Sequence, residues 1–143
     1  NHHIKSNQME LKIRMLKDSD WDTLVKWWDA WPDWVAPAKD FLPENGTGGF
    51  IVEKKSEAIV AGFLYTTNSK AALLEWIVSN PEYKQNDKQD AIELLINGAE
   101  NVCKKQGINY VFTIGRNKNL IKTHKKLGYT IDKNPSYEII KKI

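Results

Sequence analysis

Cysteine is almost missing from this sequence. Cys103 is the only one in 143 residues, so no disulfide can form within the chain, and a reducing compartment is expected. Histidine is scarce too: of three, His2 and His3 lie in the first eight residues and leave only His124 further on. One histidine and one cysteine argue against a native metal site. No apolar run approaches the roughly 20 residues that span a bilayer, and no secretory signal is visible. The expectation is a cytoplasmic protein with no membrane partner. Neither sign of charge dominates, with 21 Lys and Arg against 18 Asp and Glu for a net charge of +3. The late basic residues, Lys104, Lys105, Arg116, Lys118, Lys122, Lys125 and Lys126, read as a solvated helix face. Nucleic acid is therefore not the expected partner. Nothing specifies an oligomeric state.

What is present suits a folded domain. Hydrophobic residues make up 41% and charged residues 27%, and the length is that of one domain. Asn1–Gln8, ahead of Met9, reads as a leader added by an expression vector, with residues 9–143 as a single domain. Leu11–Leu16 alternates as a strand. Trp21, Leu24, Val25 and Trp28 share one helical face, and Pro32 ends that helix. Residues 31–49 form a long loop rich in proline and glycine. Phe50–Glu53, Ala58–Thr66 and Ala71–Val78 read as three antiparallel strands. Ile92, Leu95, Ile96, Ala99, Val102 and Cys103 keep a helical period across Asn86–Gln106, and Gly107 stops it. Ile108–Ile114 reads as a buried strand, Leu120–Leu127 as a short helix, and Tyr129–Ile131 with Tyr137–Ile140 as a closing hairpin. The expected fold is α/β (α+β): a mixed, mostly antiparallel sheet flanked by helices, in the order β-α-β-β-β-α-β-α-β-β.

The run from Leu74 to Tyr129 resembles the core of the Gcn5-related N-acetyltransferases. The resemblance rests on the strand end Glu75-Trp76-Ile77-Val78-Ser79-Asn80-Pro81 and on Lys126-Leu127-Gly128-Tyr129, with Asn117 eleven residues before Gly128. The chain also looks similar to small phage-encoded members with a tryptophan-rich first helix. The resemblance implies a splay between the fourth and fifth strands, where the pantetheine arm of acetyl-CoA pairs with Ile77, Val78 and Ser79. It also implies that the pyrophosphate rests on the opening of the long helix. The stretch there is Lys84-Gln85-Asn86-Asp87-Lys88-Gln89. Asp87 and Gln89 stand where the family carries glycines, and Asp87 brings a like charge to a phosphate site. Asn86 followed by Gln89 also fits a capping box, which would satisfy the helix amides internally.

Within the same resemblance, His124 takes the position of the family's acid, a donor to the leaving sulfur. Glu75 is the candidate general base. A backbone amide near Val78 would polarise the thioester. Asn117 either contacts the pantetheine arm or caps the last helix. The acceptor would be a small-molecule amine or an amino group on a protein or peptide, met by Trp21, Trp27, Trp28, Trp31 and Trp34 with Asp22, Asp29 and Asp33. Two readings follow. One is an acyl-CoA-dependent N-acyltransferase with no metal, transferring acetyl directly to a primary amine in a ternary complex. The other is a catalytically idle binding module working through residues 21–34.

Overall fold

The computed structural model describes residues 10–143, and the leader read at residues 1–8 lies outside the described residues. Five strands make one sheet in chain order: β1 (Leu11–Met15), β2 (Gly49–Lys54), β3 (Glu57–Thr66), β4 (Ala71–Ser79) and β5 (Tyr110–Phe112). The first four pair antiparallel, and β5 joins β4 in parallel. The α-helices are α1 (Trp21–Ala30), α2 (Lys88–Lys105) and α3 (Lys118–Lys126). This is the mixed, mostly antiparallel sheet flanked by helices that the sequence pattern predicts.

Strand alternation divides the core into two layers. Phe50, Val52, Val60 and Leu74 pack with Leu95, Ile96 and Ala99 of α2. Ile51, Ala61, Phe63 and Val78 pack with Leu24, Trp27 and Trp28 of α1. Each such buried aliphatic or aromatic side chain contributes about 1.5–3 kcal/mol. Trp27 is a correction, because helical spacing left it off the apolar face, yet it is 5% exposed. Leu42, from the loop, belongs to the same cluster and widens the arc of α1 that is covered. Trp21, Trp31 and Trp34 are half-buried against the same cluster.

The entry to α1 is fixed by charge. Arg14 donates to both Asp20 carboxylate oxygens at 2.9 Å, and the Lys17 amide adds a 2.8 Å bond. The guanidinium bonds hold the Asp20 carboxyl below the ordinary carboxylate range.

The end of the chain departs from expectation. Residues 129–143 contain no strand, so the closing hairpin is not formed. Tyr129 instead donates to Glu100 at 2.8 Å and packs edge-on against His124. Glu138 pairs with Arg116 and draws the tail across the end of β5. As a result β5 is an edge strand rather than a buried one, with Tyr110 68%, Phe112 51% and Ile114 46% exposed.

Candidate active site in the gap between β4 and β5

The two parallel strands stay together only briefly. Ala71–Leu73 pair with Tyr110–Phe112, after which β4 continues to Ser79 without β5. The gap opens into a cleft of about 870 Å³. Main-chain direction along its wall follows from one bond: the Asn80 amide donates to the Ile59 carbonyl at 2.7 Å. In an antiparallel pair the main-chain groups alternate sides. Ser79 therefore turns its amide and carbonyl away from β3 and into the gap, while Val78 faces β3. An amide at Val78, expected to polarise a thioester, is thus committed to the sheet.

A bulge interrupts β4 at this level. Phe63 pairs with Glu75 and Ala61 with Val78, so Trp76 and Ile77 together oppose Gly62. Trp76 has φ +57°, a left-handed conformation that is an outlier for a bulky residue. Its ring is packed edge-on by Trp28, Trp34 and Phe41, with centroids 6.2, 6.0 and 6.0 Å away. Gly62 makes room for the bulge, because a Cβ there would lie 3.1 Å from Ile77 Cγ1 and 3.2 Å from Leu95 Cδ2. Bulges of this kind re-aim main-chain groups and are over-represented beside active sites.

Glu75 spans the root of the gap. Its Oε1 accepts the Ile114 amide at 2.6 Å, tying β4 to the segment leaving β5. Burial pushes the Glu75 carboxyl above its ordinary value; hydrogen bonds from the Ile114 amide and the Thr113 side chain oppose that, nearby Glu138 adds to it and Arg116 subtracts. Arg116 and Glu138 line the same cleft.

The far end of the cleft is the start of α2. The capping box does not form. Gln89 instead donates to Glu93 and to Thr123 Oγ1 at 3.2 and 2.8 Å, and no side chain caps the helix. Among the described residues no acceptor meets the Gln89 and Asp90 amides. Asp87 is turned away, accepting Tyr83 Oη–H at 2.6 Å and Lys54 Nζ–H at 2.9 Å. Burial alone would raise the Asp87 carboxyl, but these two donors hold it below its ordinary range. Lys88 lines the cleft, and its ammonium lies 5.5 Å from the centre of the Trp31 ring. Burial, then repulsion from Lys84, lowers its pKa.

No family model and no curated protein sequence matches the chain. Solved structures do. Ard1 from Thermoplasma volcanium aligns over 86% of this chain and 84% of its own, with a TM-score of 0.69 at 14% identity. An aminoglycoside acetyltransferase from an uncultured soil metagenomic sample aligns over 94% and 98%, with a TM-score of 0.65 at 13% identity. N-acetylglutamate synthase from Neisseria gonorrhoeae, complexed with coenzyme A and L-arginine, aligns over 80% of this chain and 26% of its own, with a TM-score of 0.65 at 13% identity. The chain has the Gcn5-related N-acetyltransferase fold.

In that acetyltransferase fold the sequence-predicted residues divide. Glu75, Ile77, Val78, Ser79, Asn86, Lys88, Gln89 and Asn117 line the one cleft. Asn117 caps α3, its Oδ1 accepting the Asn119 and Leu120 amides at 2.9 and 3.1 Å. Lys84 and Gln85 are exposed on the approach to α2 and, with Asp87, stay outside the lining. His124 is not brought to Glu75. It is 3% exposed and faces a second cavity on the outer side of β5. Its Nδ1–H donates to the Leu120 carbonyl at 2.9 Å, and Nε2 is buried with no partner among the described residues. A proton donor for the leaving sulfur is therefore not found at this position. Sequence reasoning missed Arg116 and Glu138, which meet only through the path of the tail. It also missed Lys54, whose link to Asp87 spans 33 residues.

Proposed function

We propose that the chain is an acyl-CoA-dependent N-acyltransferase, with acetyl-CoA as the simplest donor and a primary amine as acceptor, reacting directly in a ternary complex. The observation that carries the reading is the opened β4–β5 gap ending on uncapped amides of α2. An extended amide arm suits the free edge of β4. A pyrophosphate suits the Gln89 and Asp90 amides and the Lys88 and Lys84 ammonium groups. Asp87 does not oppose this, because Lys54 and Tyr83 hold its carboxylate on the other side. The residues present therefore fit the donor, although the loop lacks the family's glycines.

A bound acyl thioester supplies the acyl carbon: its C–S bond breaks as the acceptor nitrogen forms the new C–N bond. Glu75 takes one proton from the bound ammonium so that the neutral amine attacks, while the Ile114 amide holds the side chain through Oε1. The bulge at Trp76 and Ile77 supplies main-chain polarity where charge develops on the acyl oxygen. The second proton, shed by nitrogen as the C–N bond forms, passes to the departing thiolate; a cysteine-type thiol has a pKa of about 8.5, so the step is written without a dedicated acid. Half-buried Trp31 and Trp34, with Asp33, form the wall next to Glu75 and suit a cationic acceptor, a small amine or an amino group on a peptide. Of the tryptophans that the idle-module reading draws on, Trp27 is core, whereas Trp31 and Trp34 line the cleft.

Thermal unfolding with acetyl-CoA, with free CoA as control, tests the proposal. Donor at 100 times its Kd stabilises the native state by about 2.7 kcal/mol. A saturable upward shift is the expected result, and no shift at millimolar donor would overturn it.

A further inference from the structure

Trp31 sits where the donor arm is proposed to lie. Its indole Nε1–H donates to the Ser79 carbonyl at 2.9 Å, across 48 residues of sequence. That carbonyl belongs to the set turned away from β3 into the gap, which an extended ligand would use as a hydrogen-bond acceptor. The same indole carries the Lys88 ammonium against its face at 5.5 Å. Lys88 is the first residue of α2, beside the uncapped amides. One side chain therefore occupies the acceptor for the arm and also engages the nearest cation for the phosphates.

Resting on the acyltransferase reading, we propose that Trp31 is a displaceable gate that makes the cleft select thioesters whose pantetheine arm ends in a nucleoside diphosphate. A pyrophosphate at the start of α2 draws Lys88 off the indole by charge. Without its cation the indole leaves Ser79, and the freed carbonyl accepts an N–H of the arm. Free pantetheine offers nothing to Lys88 and must displace the indole against both contacts. Selection thus comes from coupling two weak contacts, an indole–carbonyl hydrogen bond and a cation–π contact.

The test is titration calorimetry of CoA and of free pantetheine against the wild type, Trp31→Phe and Lys88→Met. Phe keeps a ring for Lys88 but has no N–H for Ser79. Near-UV circular dichroism checks that each variant is folded. Trp31→Phe is expected to bind CoA about five-fold more tightly and pantetheine at least as much so, the size of one net hydrogen bond. Lys88→Met is expected to lose CoA affinity about ten-fold at low salt and to leave pantetheine unchanged or tighter. CoA binding to the wild type with equal or weaker binding to Trp31→Phe would make the indole a fixed wall and overturn the gate alone. CoA binding to none of the three would overturn the donor reading, and the gate with it. CoA binding to Trp31→Phe but not to the wild type would show an indole that CoA does not displace, and would overturn the gate.

Discussion

Two cavities flank β5, and they differ in chemistry more than in size. The gap on the β4 side holds about 870 Å³ and the outer one about 1030 Å³. The larger is bounded by the apolar edge of β5, buried His124 and the Tyr129–Ser136 segment. The smaller has the Ser79 amide turned into it, a half-buried carboxylate and the uncapped end of α2. Volume ranks them one way and unspent polar groups the other. A site for an anionic, amide-rich donor is read from the second criterion.

Glu75→Gln should separate the cavities most. Loss of the general base lowers kcat by about 100-fold or more with little change in donor affinity, measured by thiol release against an amine panel. The wild-type rate should rise with pH through a midpoint above the usual glutamate value of about 4.3, because burial raises the Glu75 carboxyl. A midpoint at or below that value would remove Glu75 from the chemistry. Gly62→Val comes next: crowding Ile77 and Leu95 costs about 1–3 kcal/mol in denaturant unfolding and lowers the rate through the bulge. Lys54→Ala releases Asp87 from its partner and should weaken CoA binding about five-fold, the scale of one like-charge contact in water. The smallest catalytic effect is expected at the outer cavity. His124→Phe should leave kcat within about two-fold while stabilising the fold by about 1 kcal/mol, since it removes a buried nitrogen without a partner. A large loss of activity with an unchanged fold would erase the distinction between the cavities.

The fold was legible where periodicity and burial coincide. The continuous apolar runs of Phe50–Glu53 and Ala58–Thr66 and the 3.6 period from Ile92 to Cys103 mark segments that the structure buries. It was illegible where a residue's partner is distant. Trp27 is buried in a cluster that includes Leu42 from the distant loop. Asn86 and Gln89 match a capping box, but Thr123 and Glu93 take the glutamine. Tyr137–Ile140 has strand composition, yet the Arg116–Glu138 pair and the Tyr129–Glu100 bond route the tail elsewhere. The lining of the site followed the same rule. Residues from Glu75 to Ser79 are neighbours in sequence and were found together. Trp31, Asp33 and Trp34, expected at the acceptor side, also line the cleft, whereas Arg116 and Glu138 reach it only through tertiary geometry.

The left-handed backbone at Trp76 links two properties that could otherwise drift apart. Such a conformation costs a bulky residue about 1–2 kcal/mol, and it persists because Trp28, Trp34 and Phe41 pack around the ring. Trp34 and Phe41 come from the loop that carries the proposed acceptor wall. A substitution in this loop that broadens the range of acceptors also loosens the restraint on the bulge, and with it the aim of the main chain at the reacting carbon. Over evolutionary time, acceptor specificity and catalytic geometry in this protein would be inherited as a single trait.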